Sequence, residues 1–343
     1  DAKKMCKDLI LVTGHHRLYV EFHHKIIAAV DRCVPVHSIC SIDEIACELT
    51  GSQLQIEVAQ KLAVKIKKQV AMDVGECLTC SIGIAPNILL AKMAADMQKP
   101  DGLTVLEKKD LLQKLSTLQL QDVPGIGARM EKRLQQKGVR RMSELLQKSE
   151  QEMESLWGSI IGRRYYQLLR GECVTVRPTQ QKSIGHQHVL PPKERNHLGG
   201  YKVALKLTEK ACVRLRKSHF MARRFSVYIK CVGIQPQRFE KDWHFSDTQN
   251  TADFLNMVGD FFTSLSKKIK PLKIAVVLFD FIDETQHQLS FFENEKRTRV
   301  FTVVDQINQK HGKGTIYPAI LSQTTDKAPT RIAFTRIPEL DEV

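Results

Sequence analysis

Asp43 and Glu44 are adjacent carboxylates in the stretch Ser41-Ile42-Asp43-Glu44. Cys40, Ile42 and Ile45 alternate with polar positions, a pattern of strand, sharp turn and second strand, the latter over residues 45–49. Neighbouring anions at a hairpin tip repel unless a cation neutralises them. Magnesium suits such a pair because it prefers carboxylate oxygens and bridges to phosphates. The chemistry this suggests is phosphoryl transfer on two metal ions. Four residues alone describe a solvated Asp-Glu turn far better, because Asp and Glu are common in turns, so the weight falls on the rest of the chain.

Other residue groups carry weaker chemical signals. Cys77-Leu78-Thr79-Cys80 has a CxxC spacing, but no second pair follows at zinc-finger distance, so buried strand cysteines are expected. His15-His16 and His23-His24 fall on a helical stretch and read as surface histidines. Val123-Pro124-Gly125-Ile126-Gly127-Ala128-Arg129 places Pro and two glycines between helical runs, the signature of a helix-hairpin-helix. Gly125, Ile126 and Gly127 would offer backbone N–H groups to a phosphate, and Arg129 would add charge. The strand containing Arg223 and Arg224 alternates basic or polar with apolar residues through Lys230, so one face can pack while the other meets a phosphate backbone.

The composition agrees with a polyanion partner. The 343 residues carry 52 Lys plus Arg against 38 Asp plus Glu, a formal net charge of +14. Nucleic acid is the first candidate partner and an acidic membrane surface the second. No apolar run reaches the length of a membrane span. Nine scattered cysteines fit a reducing, cytoplasmic setting better than a disulfide framework.

The elements that must position these groups alternate in type. Residues 8–13 read as a strand and 16–33 as a helix with Leu18, Phe22, Ile26, Ile27 and Val30 on one stripe. A helix over 52–74, a strand over 78–85, a helix over 88–97 capped by Asn87, and a strand over 103–106 follow. The fold class is therefore α/β (α+β) and multidomain. Residues 1–107 form the first α/β domain, 108–172 a helical domain, and 173–182 a linker. Residues 183–283 form a second α/β domain, with strands at 183–190, 221–232 and 273–282 and helices at 194–217 and 248–266. The tail, 284–343, is polar except for Gln288-Leu289-Ser290-Phe291-Phe292, whose apolar side chains could anchor in a partner's pocket or fold back onto the body.

These motifs together resemble the Y-family, translesion DNA polymerases, over essentially the whole chain, and within them the bacterial UmuC-like branch. The resemblance rests on the palm motif at residues 41–44, on the stretch from Cys80 to Leu106, on Val123 to Gly127 in the thumb, and on Lys182-Ser183-Ile184-Gly185-His186 at the start of the little finger. Tail motifs at 304–308 and 312–317 point to the UmuC-like branch. It implies that Asp43 and Glu44 are catalytic ligands of two Mg2+ ions, that Lys99 touches the incoming dNTP, and that thumb and little finger grip damaged primer-template DNA through its backbone. It implies further that Gln288, Leu289, Phe291 and Phe292 bind the sliding clamp, that SOS accessory proteins are further partners, and that the protein works at the bacterial nucleoid.

The family also opens with a strand bearing an Asp-x-Asp-x-Phe-type motif, then a steric gate and fingers. The stretch Asp1 to Cys6 resembles the end of a fingers helix, and the flanks of Asp8 and Asp31 do not match the missing motif. The expectation is an N-terminally truncated chain that is inactive alone. The competing reading is a non-catalytic accessory protein of the ImuB kind, which binds DNA and the clamp. Retention of both carboxylates favours the polymerase, and a generic helix-hairpin-helix module would need neither them nor the stretch from 80 to 106.

Overall fold

The computed structural model describes residues 2–175, 180–233, 237–287, 295–332, 337–338 and 340. The chain divides into two compact units, Asp1–Arg177 with Arg331–Leu340, and Pro178–Thr330 with Asp341–Val343.

In the first unit, a single turn α1 (Ala2–Met5) precedes α2 (His16–Asp31). The hairpin follows as β1 (Val36–Ile39) and β2 (Ile45–Cys47), antiparallel with Ile39 opposite Ile45. Helix α3 (Ile56–Asp73) packs on α2 through Ala29, Val30, Val34 and Val70, with Ile26, Leu62 and Ile66 against them. Strand β3 (Ile82–Ile84) runs parallel to β4 (Leu103–Val105), joined by the crossover helix α4 (Ile88–Met97). Helix α4 lies so close to β3 that a Cβ on Gly83 would stand 1.9 Å from the Ala91 carbonyl oxygen, which only glycine avoids. Five short helices complete the unit: α5 (Leu111–Ser116), α6 (Ala128–Gln136), α7 (Met142–Leu146), α8 (Glu150–Trp157) and α9 (Ile161–Leu168). The buried face of α4 (Leu90, Met93, Ala94) shares one apolar core with Leu115, Val123, Ile126, Leu134 and Met153 of this helical part.

The second unit is a four-stranded sheet in the order β5-β8-β6-β7. Its strands are β5 (Ser183–Val189), β6 (Phe220–Cys231), β7 (Arg238–Thr248) and β8 (Pro271–Asp283). Helices α10 (His197–Lys217) and α11 (Thr251–Ser264) cover one face, burying Phe225, Val227, Ile229, Ile274, Val276 and Leu278 against Val203, Leu207, Phe254 and Phe262. Every strand pairing is antiparallel, so the opposite sheet face can stand in solvent.

Several expectations need correction. Residues 8–13 form no strand, and Ile10, Leu11 and Val12 are exposed, because no strand among the described residues pairs with them. On α2 the inward residues are Val20, His23, Ala29 and Val30, leaving Leu18 and Phe22 in solvent. The strand expected over 78–85 is only three residues long, and Cys77 is exposed, not buried. Strand β7 is not signalled by the sequence, because Lys241 interrupts the apolar alternation of Phe239, Trp243 and Phe245. The tail is not merely polar. Helix α12 (Glu295–His311) follows residue 294, and Leu321, Thr324 and Ala328 are buried against the second unit.

The tail is fixed by charge as well as by packing. Arg216 is almost fully buried on α10 and donates to both carboxylate oxygens of Asp305 at 2.6 and 3.0 Å. It also donates to the Gln249 carbonyl at 3.0 Å and to Thr251 Oγ1 at 2.8 Å. Removing one partner of a buried pair strands the other charge. Asp305→Ala is therefore expected to cost about 2–3 kcal/mol in urea unfolding, since the backbone and hydroxyl partners of Arg216 remain. A loss below about 0.5 kcal/mol would show that α12 is not held this way.

Candidate active site and nucleic-acid interface

The β1–β2 turn is closed by its own backbone. The Cys40 and Ser41 amides donate to the Glu44 carbonyl at 2.8 and 3.2 Å. Ser41 is buried, and its hydroxyl donates to Asp43 Oδ1 at 2.7 Å. From α2, His23 Nδ1 donates to the Ile42 carbonyl at 2.6 Å. Burial holds the His23 pKa below its ordinary value, against the pull of that hydrogen bond, so the ring is a neutral donor near pH 7. His23 is thus no surface histidine but a prop under the acidic turn, a role for which a histidine doublet on a helix gives no sequence signal.

Helix α4 brings a ladder of charges to this turn. Asn87 caps its first turn, accepting from the Leu90 amide at 3.0 Å, while its Nδ2 donates to the Leu168 and Glu172 carbonyls at 2.8 and 3.0 Å. The helix start is therefore tied to the end of α9. Lys92 donates to Glu44 Oε1 and lies 3.5 Å from Asp96, whose carboxylate pairs with Lys99 at 2.6 Å. The hydrogen bond to Glu44 raises the Lys92 pKa above its ordinary value. Burial works the other way on Asp96, yet the Lys99 hydrogen bond and the Lys92 charge hold its carboxyl below the usual range. Lys92, Met93, Asp96 and Met97 also line an open cavity of about 570 Å³ together with Leu118, Gln121, Asp122 and Pro124. Asp43, Glu44 and Lys99 are brought into one neighbourhood, and Lys92 and Asp96 are the members that sequence reasoning passed over. Among the described residues no group of three or more metal-binding side chains gathers anywhere.

The glycine hairpin has a buried and an open side. Gly125 has φ +94°, a left-handed conformation that favours glycine, and a Cβ there would meet Tyr165 Oη at 2.0 Å. That hydroxyl donates to the Pro124 carbonyl at 2.6 Å, and the Tyr165 ring stacks on Trp157 at 5.0 Å. The Ile126 side chain is buried in the core, so only its backbone can reach a ligand. Gly127 is the N-cap of α6 with no side-chain cap, and no atom lies within 4 Å of where its Cβ would be. The amides opening α6 therefore face outward beside exposed Arg129, Lys132 and Arg133.

On the second unit, cross-strand register sorts the open sheet face into rows. One row is Ser183, Phe279, Arg224 and His244, with the Arg224 guanidinium 4.5 Å from the Phe279 ring centroid. Another is Val189, Lys273, Lys230 and Arg238, three cations on neighbouring strands. Of the two arginines singled out in sequence, Arg223 approaches Asp247 at 3.8 Å while Arg224 lies over the Phe279 ring. The segment Gln288, Leu289, Phe291 and Phe292 lies outside the described residues. No helix among the described residues is long and apolar enough to cross a membrane.

Comparison with known proteins gives a consistent assignment. Residues 1–96 match the impB/mucB/samB family, residues 112–172 the thumb domain of DNA polymerase-iota, and residues 181–291 the impB/mucB/samB family C-terminal domain. The chain is similar to a DNA polymerase IV of Pelotomaculum thermopropionicum, 28% identical over 334 residues, covering 93% of this chain and 80% of that one. A DNA polymerase IV of Moorella thermoacetica is also 28% identical, with the same coverage of 93% and 80%. Among solved structures, a Y-family DNA polymerase chimera of Dbh and Dpo4 shares the fold with a TM-score of 0.63 at 23% identity, over 82% of this chain and 81% of that one.

Proposed function

We propose, from three successive domain matches and the similarity to DNA polymerase IV proteins, that the chain is a Y-family DNA polymerase, a DNA-directed nucleotidyltransferase of translesion synthesis, and that its residues divide the work as follows. The carrying observation is the closed turn that presents Asp43 and Glu44 beside the ladder Lys92, Asp96 and Lys99. Both carboxylates are hard oxygen donors, and magnesium is commonly held by one or two carboxylates together with water and substrate phosphates. The donor set therefore fits Mg2+. When bound, such ions activate the attacking primer oxygen and neutralise charge on the phosphates. The chain's own contribution is orientation. Ser41 and His23 fix the turn, Asp43 and Glu44 hold the ions, and Lys99, 60% exposed, reaches for the dNTP triphosphate.

The hairpin Gly125 to Gly127 with Arg129 supports a contact to primer-template phosphates, and the row Lys273, Lys230 and Arg238 with Arg224 supports a second, on the little-finger sheet. Contacts of this kind position DNA without reading its sequence, which suits a damaged template. The polar tail segment Gln288, Leu289, Phe291 and Phe292 is a peptide for the sliding clamp in this reading. The motifs at 304–308 and 312–317 support the UmuC-like branch, with SOS accessory proteins as further partners and the cytoplasmic nucleoid as the place of work.

Primer extension tests the catalytic assignment. In the polymerase carrying this sequence, Asp43→Ala and Glu44→Ala are each expected to lower extension about a thousandfold while DNA affinity stays within about twofold. Unchanged extension would refute the assignment, and an absence of extension before mutation would favour the accessory reading. For the sheet, Lys230→Gln and Lys273→Gln should each weaken duplex binding and reduce the salt slope by about 1. Selective loss on some sequences only would contradict backbone contact. For the peptide, calorimetry with the purified clamp decides. Phe291→Ala with Phe292→Ala should abolish a micromolar contact and leave melting unchanged, whereas a loss of several kcal/mol with clamp binding intact would place both rings in the core.

A further inference from the structure

Lys92 stands on α4 between two carboxylates. It donates to Glu44 Oε1, and its Nζ lies 3.5 Å from Asp96, one helical turn further along the same helix. Asp96 in turn accepts from Lys99 at 2.6 Å. The four side chains alternate in sign, and each cation touches the shared Asp96. A single ammonium therefore neutralises Glu44 through the same oxygen lone pairs that a metal ion would need.

We propose that Lys92 is a positioning residue, a resting counterion for Glu44 that must leave Glu44 as a divalent cation arrives, with Asp96 as the acceptor that receives it. The proposal rests on the reading of Asp43 and Glu44 as the metal-binding pair. Its geometry needs no backbone movement, since Lys92 and Asp96 are four residues apart on one helix and already within 3.5 Å. The transfer links two ligands. Once Lys92 turns to Asp96, that carboxylate is shared between two ammonium groups, and its hold on Lys99 weakens. Lys99 is then freer to meet a triphosphate. The site thereby stays near neutral before metal binding, which prevents Asp43 and Glu44 from springing the hairpin tip apart, and it shifts positive charge toward the nucleotide side after binding.

The test measures metal binding directly, with Mn2+ titrated into the full chain without DNA or nucleotide and free Mn2+ read by electron paramagnetic resonance. Glu44→Gln must remove a saturable site from the otherwise unaltered chain, or the metal reading itself falls and the proposal with it. Given that site, Lys92→Met should tighten Mn2+ about threefold to tenfold, the scale of a half-exposed ion pair. Lys99→Met removes the same charge from the same cluster without touching Glu44, and because it only frees Asp96 to receive Lys92 it should tighten Mn2+ by clearly less than Lys92→Met does. Lys92→Arg should stay near the unaltered chain, and Asp96→Asn should weaken Mn2+ because the departing ammonium loses its acceptor. Lys92→Gln repeats the measurement should the Met variant fold poorly. Equal shifts for Lys92→Met and Lys99→Met would reduce the effect to general field strength and overturn the proposal. Weaker Mn2+ binding in Lys92→Met would overturn it too, showing that Lys92 organises the site for metal instead of competing for it.

Discussion

Repulsion between Asp43 and Glu44 is the constraint around which the first unit is arranged. Two carboxylates in sequence at the tip of a two-stranded hairpin cost energy unless their lone pairs are occupied, and two strands alone are marginal in water. The hairpin is supported from three directions: the backbone closure at Glu44, His23 under Ile42, and Lys92 on Glu44. The last of these depends on α4 being held in place. That helix is fixed by the Asn87 cap, by Gly83 allowing β3 to approach, and by Leu90 and Met93 in a core shared with the helical part of the unit. The acidic turn thus draws its geometry from residues more than forty positions later in the chain.

This explains which parts were legible in the sequence. Helix α4 was readable to the residue, because Asn87 is a strong N-cap and the helix ends at the segment leading to Pro100. The hairpin glycines were readable because a left-handed Gly125 and an uncapped Gly127 leave a local signature. Asp43 and Glu44 were readable as a pair, yet their partners were not. A lysine at position 92 or a histidine at position 23 looks like any solvated helix residue until the tertiary fold sets Glu44 and Ile42 against it. The same holds for Tyr165, whose hydroxyl fills the space Gly125 leaves open.

The second unit failed to be legible for different reasons. Strand β7 lies at the sheet edge, where charged residues such as Glu240 and Asp242 are favoured because they discourage further strand pairing. Glu240 and Asp242 keep the polar half of the alternation, but Lys241 breaks its apolar half. The tail reads as polar overall although α12 carries Phe301, Val304 and Ile307 at helical spacing and half-buried, because charged and amide residues surround this short stripe. Arg216 gives no warning either. A buried arginine in an amphipathic helix is recognised only when Asp305, from a distant segment, lies opposite.

The open sheet face closes the argument about charge. Like charges directly across strands destabilise a sheet by a few tenths of a kcal/mol to about 1 kcal/mol per pair. Lys273, Lys230 and Arg238 nevertheless occupy one row, while the acidic residues of β7 lie opposite Tyr228 and Ser226 in other rows and neutralise none of the three by register. A fold selected for stability alone would mix the signs within each row. The arrangement makes sense if the missing anions come from outside, spaced along a phosphate backbone. In the first unit a similar excess of charge, of opposite sign at Asp43 and Glu44, is balanced internally by Lys92. The two units thus solve one electrostatic problem in two ways. In the proposed reading the acidic site carries its own counterion until a metal replaces it, and the basic surface leaves its counterions to the ligand.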